Sequence, residues 1–348
     1  MNSHDNIDVS NMFKSIYDFP DHMIEAISIG KKIKIEKNYS NFSNIVICGM
    51  GGSAIGGDLS KSLINSSLSL PLVVNRNYSL PNWVNGHTLV ICCSYSGNTE
   101  ETLSAYNDAL SKGASVIGIS TGGELTTLLD QNNHDKVAIP SGLQPRAAVA
   151  FSFIPLLYLL SQLELIDKTI LDEIDSSVDK IKLARNIYSN QIDDNPTYTL
   201  AKQIYKTIPI IYGESDTTSS IALRWKGQLC ENSKMIAYHN DIPEMNHNEI
   251  VGWQENPKIL KQFSILWISD ESVHIRNKIR YQSSLEIVNQ LPALQKIITL
   301  EGSSFPERFI HLLHYGDWLS YWCALMHEID PTPVDKIDQL KQVLSKTS

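Results

Sequence analysis

The segment Asn44–Asp58, with the sequence NIVICGMGGSAIGGD, decides the fold of this 348-residue chain. Its first part, Asn44–Cys48, is a short apolar run that ends at a glycine, which is typical of a buried strand. Five glycines follow within nine residues, and the residues from Ser53 to about Ile64 favour a helix. The segment therefore predicts a strand, a glycine-rich turn and a helix in direct succession.

Strands and helices alternate on both sides of this segment. The further predicted strands are Pro71–Asn75, Thr88–Cys93, Ala114–Ser120, Lys136–Ile139, Ile208–Tyr212, Met235–Tyr238, Phe263–Ser269 and Lys296–Leu300. The helices predicted between and after the strands are about Thr99–Lys112, Arg146–Leu165, Asp167–Gln191, Thr217–Glu231, Pro306–His327 and Val334–Ser345. Repeated alternation of this kind implies parallel sheets with helices on both faces.

The alternating pattern divides into two halves. We predict an α/β protein with two doubly wound parallel-sheet subdomains and flanking helices. The first subdomain comprises residues 1–165, a polar helical connector comprises residues 166–195, and the second subdomain comprises residues 196–348. The connector ends at Asp193-Asp194-Asn195-Pro196, a combination that interrupts helices.

Composition and charge exclude several classes of function. The chain has 29 Lys and Arg residues against 38 Asp and Glu residues, which gives a net charge of −9, and it has no basic run. It is therefore a poor candidate for binding nucleic acid or an anionic membrane. The hydrophobic content of 42% is that of a packed globular protein rather than a disordered one.

Cysteines and apolar segments predict a cytoplasmic location. The five cysteines form no C-x-x-C pair, which favours buried, inert thiols in a reducing compartment. The first twenty residues lack the pattern of a secretory signal. The longest apolar stretch, Ala147–Leu160, contains Ser152 and Pro155 and is too short to span a bilayer.

The glycine-rich turn has the features of an anion-binding loop. Glycines such as Gly51 and Gly52 permit positive φ and let a ligand approach the backbone closely. The helix that follows offers unpaired N–H groups and a partial positive charge at its start. An anion is the natural ligand of such a site, although a tight turn without any ligand remains the alternative.

A second loop, Ser94–Thr102 with the sequence SYSGNTEET, also connects a strand to a helix. The hydroxyls of Ser94, Ser96 and Thr99 are spaced so that all three can surround one anion. An ordinary N-cap, in which Asn98 or Thr99 caps the helix, is the alternative, but a cap requires only one such side chain. Both loops follow the carboxyl ends of parallel strands, which is where open α/β sheets bind ligands.

The first loop also fits the dinucleotide pattern G-x-G-x-x-G/A through Gly49, Gly51 and Ala54. The second strand ends in Asn75-Arg76 rather than in the acidic residue expected near a ribose 2′-hydroxyl. Because Arg76 suits a 2′-phosphate, an NADP-linked reductase stays open as an alternative. The sequence has no G-x-x-x-x-G-K-[ST], which argues against a nucleoside triphosphate site.

The pair of loops GMGGSAIGGDL and SYSGNTEET resembles the sugar isomerase (SIS) domain. Further segments narrow the resemblance to the bifunctional phosphoglucose/phosphomannose isomerases of archaeal and bacterial type, namely PSGLQPRAA (140–148), LCENSK (229–234), EMNHNEIVGW (244–253) and DPTPV (330–334). The resemblance covers roughly residues 40–345. It implies two SIS-like subdomains and an enzyme that interconverts glucose 6-phosphate, and also mannose 6-phosphate, with fructose 6-phosphate through a cis-enediol.

Three residues are the candidates for catalysis. Glu231, at the end of a predicted helix, suits a general base because it is a carboxylate in a segment poor in other acids, and the resemblance makes it the proton shuttle. His247 suits ring opening, because an imidazole can both accept and donate a proton. Arg146, held by the preceding proline, suits stabilisation of the enediolate oxygens. The alternatives are a surface glutamate paired with Lys234, a loop histidine and an arginine paired with a surface acid.

The resemblance also implies which residues bind the phosphate and the sugar of the substrate. The substrate phosphate would be bound by Ser53, Ser94, Ser96 and Thr99, with Gly51 and Gly52 close to the sugar. Near the carboxyl terminus, Thr332 and Lys341 match a threonine and a lysine near the sugar, and Lys336 competes with Lys341. The histidine is supplied by the neighbouring subunit in that family, which implies a homodimer with His247 at the interface.

Neither a metal nor a cofactor is expected, because the reaction needs no redox group and the sequence has no H-E-x-x-H. The expected partner is a small hexose 6-phosphate. A phosphosugar-binding regulator without catalysis remains an alternative, because SIS domains also serve regulators. Such a protein would keep the serine loop but would not need the base Glu231.

Overall fold

The computed structural model describes residues 6–346 and contains two parallel β-sheets with helices between and around them. The strands are β1 Asn44–Cys48, β2 Leu72–Asn75, β3 Thr88–Ser94, β4 Ser115–Ser120, β5 Asp135–Ala138, β6 Ile208–Glu214, β7 Tyr238–Ile242, β8 Phe263–Ile268 and β9 Leu294–Ile298. The helices are α1 Met12–Tyr17, α2 Phe19–Lys31, α3 Gly51–Ile64, α4 Glu100–Ser111, α5 Gly123–Gln131, α6 Val149–Gln162, α7 Thr169–Tyr188, α8 Pro196–Ile204, α9 Ser219–Glu231, α10 Pro257–Leu260, α11 Ile275–Val288, α12 Phe305–Met326 and α13 Asp335–Leu344.

The two sheets are wound in the same way. The first has the order β2-β1-β3-β4-β5 and the second the order β7-β6-β8-β9, and every neighbouring pair is parallel. In each sheet the first strand therefore lies inside and the second strand lies at the edge. The predicted α/β class and the architectural duplication are confirmed.

Alternate residues of the inner strands pack into different cores. In β1, Ile45 and Ile47 belong to one hydrophobic cluster and Val46 and Cys48 to another, so both faces of the first sheet are covered. The first of these clusters also contains residues of the second sheet and of α6, α9 and α12. One face of each sheet thus contributes to a single core shared by both halves.

The long apolar stretch predicted between the halves forms the core helix α6. All but the last of its residues are buried, as expected for a helix that is hydrophobic on every side. The helix begins at Val149, three residues after the predicted start, because residues 144–148 form a turn in which Ala147 and Ala148 donate to the Gln144 carbonyl. Within residues 6–346, no helix combines the length and the apolar composition that crossing a membrane requires.

One prediction about local structure is wrong, and one helix was not predicted. The strand predicted at Met235–Tyr238 lies instead at Tyr238–Ile242, an edge strand of mixed polarity that shows no apolar run. The Met235 amide belongs to the end of α9, where it donates to the Leu229 carbonyl. The segment before Pro196, predicted only as a break, is also the start of α8, since the Asn195 side chain caps that helix and Pro196 is its first residue.

Candidate active site

The close approach of two backbone segments positions one edge of the candidate site. Gly51, the first residue of α3, has a φ of +50°. A Cβ atom on the next residue, Gly52, would lie 2.6 Å from the Pro145 carbonyl oxygen, so only glycine fits there. The glycine-rich turn thereby brings the segment that carries Arg146 against the start of α3.

The second loop lies beside the first and is bonded to it. The Tyr95 amide donates to the Ser53 hydroxyl at 3.1 Å, and the Ser94 and Thr99 hydroxyls are hydrogen-bonded to each other at 2.8 Å. Ser96 is exposed, and its hydroxyl accepts from the Asn98 amide at 3.2 Å. The structure therefore brings the four predicted phosphate-binding hydroxyls to the same pair of loops.

The N-cap alternative for Thr99 is wrong. Thr99 occupies the cap position of α4, but its side chain makes no capping hydrogen bond and is bonded to Ser94 instead. The first N–H groups of α4 are therefore not engaged by the side chain at the cap. Such groups at a helix start, next to a cluster of hydroxyls, form a suitable site for a dianion.

Arg146 and Glu231 face each other across the site. The distance between Arg146 Nη1 and Glu231 Oε2 is 3.7 Å, and the two side chains are 4% and 36% exposed. Burial lowers the pKa of the Arg146 guanidinium from its ordinary value, and the Glu231 carboxylate opposes that shift. The acid that accompanies Arg146 is thus the predicted base itself rather than an unrelated surface residue.

Lys234 does not pair with the Glu231 carboxylate. Its ammonium donates to the backbone carbonyls of Glu231 at 2.7 Å and of Pro331 at 3.0 Å. Burial, followed by the charge of Arg146, lowers the pKa of Lys234. The carboxylate of Glu231 is therefore held near Arg146 and is not neutralised by a surface lysine.

The backbone of Arg146 is supported by a buried ion pair that sequence reasoning missed. Arg224 donates to the Asp317 carboxylate through Nε at 3.1 Å and Nη2 at 2.8 Å, and the same Nη2 donates to the Arg146 carbonyl at 2.9 Å. Gln228, one turn later on α9, donates to Asp317 at 2.8 Å. Asp317, the one Asp, Glu, Lys or Arg between Phe309 and Met326 of α12, was the signal in the sequence.

Arg146, Glu231 and the start of α3 border a cleft of about 160 Å³ that is open to solvent, and the hydroxyl residues Ser53, Ser94, Ser96 and Thr99 are not part of its lining. Its lining includes the two glycines predicted to lie near the sugar, the predicted base and four cationic side chains. The polar and glycine residues are Gly51, Gly52, Arg76, Arg146, Arg224, Lys226, Gly227, Gln228 and Glu231. The lining carries more positive than negative charge, although the chain as a whole carries a net charge of −9.

Some predicted residues lie outside this cleft. His247 is exposed, in a 3₁₀ turn after the edge strand β7, and does not line the cleft. Thr332 is buried and its carbonyl accepts from Arg146 at 2.7 Å, while its hydroxyl has no partner in the described part of the chain. Lys341 is exposed on α13. Lys336, by contrast, lines a neighbouring cavity together with Glu231.

Two further observations bear on cofactors. The Arg76 guanidinium forms an ion pair with the Asp58 carboxylate, so a 2′-phosphate at Arg76 would also meet a negative charge. Among residues 6–346, no three His, Cys, Asp or Glu side chains are arranged to hold a metal ion. The reductase alternative therefore gains no support from the position of Arg76.

Comparison with known proteins gives consistent matches. Residues 193–344 match the family model described as the bacterial phospho-glucose isomerase C-terminal SIS domain. The bifunctional phosphoglucose/phosphomannose isomerase of Caldicellulosiruptor bescii is 43% identical over 337 residues, which cover 96% of this chain and 99% of that protein. The protein of the same name from Aquifex aeolicus is 36% identical over 313 residues, covering 90% of this chain and 93% of that protein.

The fold also matches solved structures of low sequence similarity. The C-terminal domain of glucosamine-fructose-6-phosphate aminotransferase from Francisella tularensis has a TM-score of 0.70 at 16% identity. The match covers 92% of this chain and 98% of that domain. At this level of identity the likeness concerns the fold alone.

Proposed function

This chain belongs to the family of bifunctional phosphoglucose/phosphomannose isomerases, and we propose that it carries out its reaction in the cleft between Gly52 and Glu231. It is an isomerase that interconverts the aldose and ketose forms of hexose 6-phosphates. The 3.7 Å approach of Arg146 Nη1 to Glu231 Oε2 carries the proposal for the site. It joins a cation and a carboxylate in a cleft lined by Gly52, and the next residue, Ser53, is hydrogen-bonded to the hydroxyl loop through the Tyr95 amide.

The phosphate of the substrate binds at the loop Ser94–Thr99 in this proposal. Ser94, Ser96 and Thr99 supply hydroxyl donors, and the start of α4 supplies backbone N–H groups. Ser53, already bonded to the Tyr95 amide, holds the first loop beside the second. The sugar chain then extends over Gly51 and Gly52, which line the cleft.

Proton transfer is the task we assign to Glu231. Removal of the C2 proton from the open-chain aldose by Glu231 leaves a planar cis-enediolate; transfer of the O2 hydroxyl proton to O1 and return of the proton from Glu231 to C1 give the ketose. Glucose and mannose 6-phosphates differ only at C2, so the same intermediate serves both aldoses. The partly exposed carboxylate is reachable from the cleft, as this task requires.

Charge stabilisation is the task we assign to Arg146. Negative charge develops on the oxygens at C1 and C2 as the proton leaves, and a buried guanidinium that faces them stabilises it strongly. Loss of one such donor costs about 3–4 kcal/mol of transition-state stabilisation in other enzymes. Because Arg146 is fixed by several hydrogen bonds, it requires little reorganisation during the reaction.

The site of one chain is incomplete in this proposal. His247 is exposed away from the cleft of its own chain, so we propose a homodimer in which the second copy places His247 beside the ring oxygen. Thr332 stays assigned to the sugar, and Lys336 replaces Lys341 as the favoured lysine because of the cavity it shares with Glu231. The buried free thiols of Cys48, Cys92, Cys93 and Cys323 favour a cytoplasmic location.

The variant Glu231→Gln tests the proposed function. Turnover of fructose 6-phosphate should fall by about 1000-fold, while its binding, measured by calorimetry, stays within a few-fold of wild type. The exposed helix residue Glu286, changed to Gln, is the matched control and should keep full turnover. The assay includes a chelator arm, in which turnover should be unchanged.

Two results would contradict the proposal. Retained turnover in Glu231→Gln removes the base from this cleft. A wild-type protein that binds fructose 6-phosphate without converting it is a regulator rather than an isomerase.

A further inference from the structure

Asn232 is a buried polar residue at the end of α9, directly after Glu231, and both ends of its amide are engaged. Its side-chain oxygen accepts from Arg146 Nε at 2.6 Å. Its side-chain nitrogen donates to the Ser320 hydroxyl at 3.0 Å, and that hydroxyl donates to the Asp317 carbonyl at 2.7 Å. The residue is 0% exposed, so this arrangement is isolated from solvent.

The hydrogen bonds of Arg146 account for three of its five N–H donors. Nε donates to Asn232, and Nη2 donates to the carbonyls of Pro331 at 2.8 Å and Thr332 at 2.7 Å. The remaining two N–H groups belong to Nη1, the nitrogen that lies 3.7 Å from the Glu231 carboxylate. The acceptors therefore fix the plane of the guanidinium so that only Nη1 faces the cleft.

We propose that Asn232 is a positioning residue for the isomerisation, which aims Arg146 Nη1 at the two oxygens where charge develops. This inference rests on the proposed function. An amide suits the role better than a carboxylate, because a neutral acceptor leaves the positive charge of Arg146 available to the enediolate. Asn232 is adjacent to the proposed base, so the end of α9 places both Glu231 and the orientation of Arg146.

A double-mutant cycle separates this role from a general structural one. Asn232→Ala is made in the wild-type chain and in Arg146→Lys, where the planar Nε–H donor is absent. In the wild-type background kcat should fall by about 100-fold with little change in KM, since misplacing a catalytic group by about 1 Å has this effect. In the Arg146→Lys background the same change should alter kcat by less than about twofold, because the bond no longer exists.

Two further variants keep the test decisive. Asn195→Ala removes another fully buried asparagine, the cap of α8, and should reduce stability without changing kcat of the folded enzyme. Asn232→Asp keeps an acceptor for Arg146 and guards against a fold defect in the alanine variant. It should retain KM and lower kcat, because it partly neutralises the guanidinium.

The outcomes distinguish this proposal from the proposed function. Equal loss of kcat in both backgrounds, or unchanged kcat in folded Asn232→Ala and Asn232→Asp, would overturn the positioning role while the isomerase assignment stands. A wild-type enzyme that does not convert fructose 6-phosphate would overturn the proposed function, and the positioning role would fall with it.

Discussion

The two halves of the molecule place loops with different side chains at equivalent positions. In the first half, the segment from the end of β3 carries the hydroxyls of Ser94, Ser96 and Thr99, and its first acids, Glu100 and Glu101, stand in the first turn of α4. In the second half, the loop after β8 contains Asp270 and Glu271. Both loops follow a strand that neighbours the first strand of its own sheet, so the topology makes them counterparts.

The loop after β8 already contains its own anion. The buried Asp270 carboxylate accepts from Arg308 Nε at 2.7 Å and Nη2 at 3.0 Å, and from the Ser272 amide at 2.8 Å. An external phosphate at this loop would meet that negative charge. In the proposed function, the shared winding by itself therefore does not confer phosphate binding, and the side chains of the loop decide which half binds the substrate.

The largest effect is expected when the loop after β3 is made acidic like the loop after β8. Ser96→Asp places a carboxylate beside the proposed phosphate site at an exposed position, so the fold should be retained. Repulsion of the dianion should raise KM for fructose 6-phosphate by about 100-fold. Steady-state kinetics of Ser96→Asp and of Ser111→Asp, an exposed serine at the far end of α4, give the measurement and its control. Equal KM values in the two variants would refute the phosphate loop.

A smaller effect is expected from matched glycine substitutions in the two halves. A Cβ on Gly52 would lie 2.6 Å from the Pro145 carbonyl oxygen, and a Cβ on Gly213 would lie 2.6 Å from the Thr218 carbonyl oxygen. Each alanine variant should lose about 1–3 kcal/mol of stability through overpacking. Only Gly52→Ala displaces the segment of Arg146, and its kcat should fall by about tenfold. Thermal unfolding and kcat are measured for both, and a loss of kcat in Gly213→Ala would weaken the contrast.

The smallest effect on turnover, with a clear effect on stability, is expected at Asp270. Burial raises the pKa of Asp270, but its hydrogen bonds from Arg308 and Ser272 outweigh that effect and the pKa is lowered. A carboxylate whose folded pKa is lowered contributes stability above its unfolded pKa and loses it as the pH falls through the folded pKa.

Asp270→Asn should therefore cost about 3 kcal/mol near neutral pH, because it leaves Arg308 without a buried partner. The difference from wild type in the free energy of unfolding should shrink in acid, below the ordinary pKa of Asp. Urea unfolding at several pH values measures it, and kcat at neutral pH serves as the control. A difference in the free energy of unfolding that does not change with pH would contradict a stabilising role for the ionised Asp270 carboxylate.

Local sequence patterns predicted much of the fold. The inner strands are apolar because both faces of each sheet are covered, so runs such as Asn44–Cys48 reveal them directly. The edge strand Tyr238–Ile242 escaped prediction because its side chains are only partly buried and carry no apolar run. The start of α8 was hidden because Asn195-Pro196 favours both a break and a helix start.

The candidate site was predictable in its loops but not in its assembly. The hydroxyls of the loop Ser94–Thr99 are near one another in the sequence, and the structure keeps them together. The surroundings of Arg146 depend on Asn232, 86 residues away, and on Thr332, 186 residues away. Contacts over such separations arise from the shared core of the two halves, which no local pattern encodes.

The most direct test is a crystal structure of Glu231→Gln with fructose 6-phosphate bound, since the variant should bind substrate without converting it. The account predicts the phosphate within hydrogen-bond distance of Ser94, Ser96 and Thr99, with the carbons C1 and C2 between Arg146 and residue 231. A phosphate bound at the loop after β8, or at any other place while the loop Ser94–Thr99 is empty, would contradict the account.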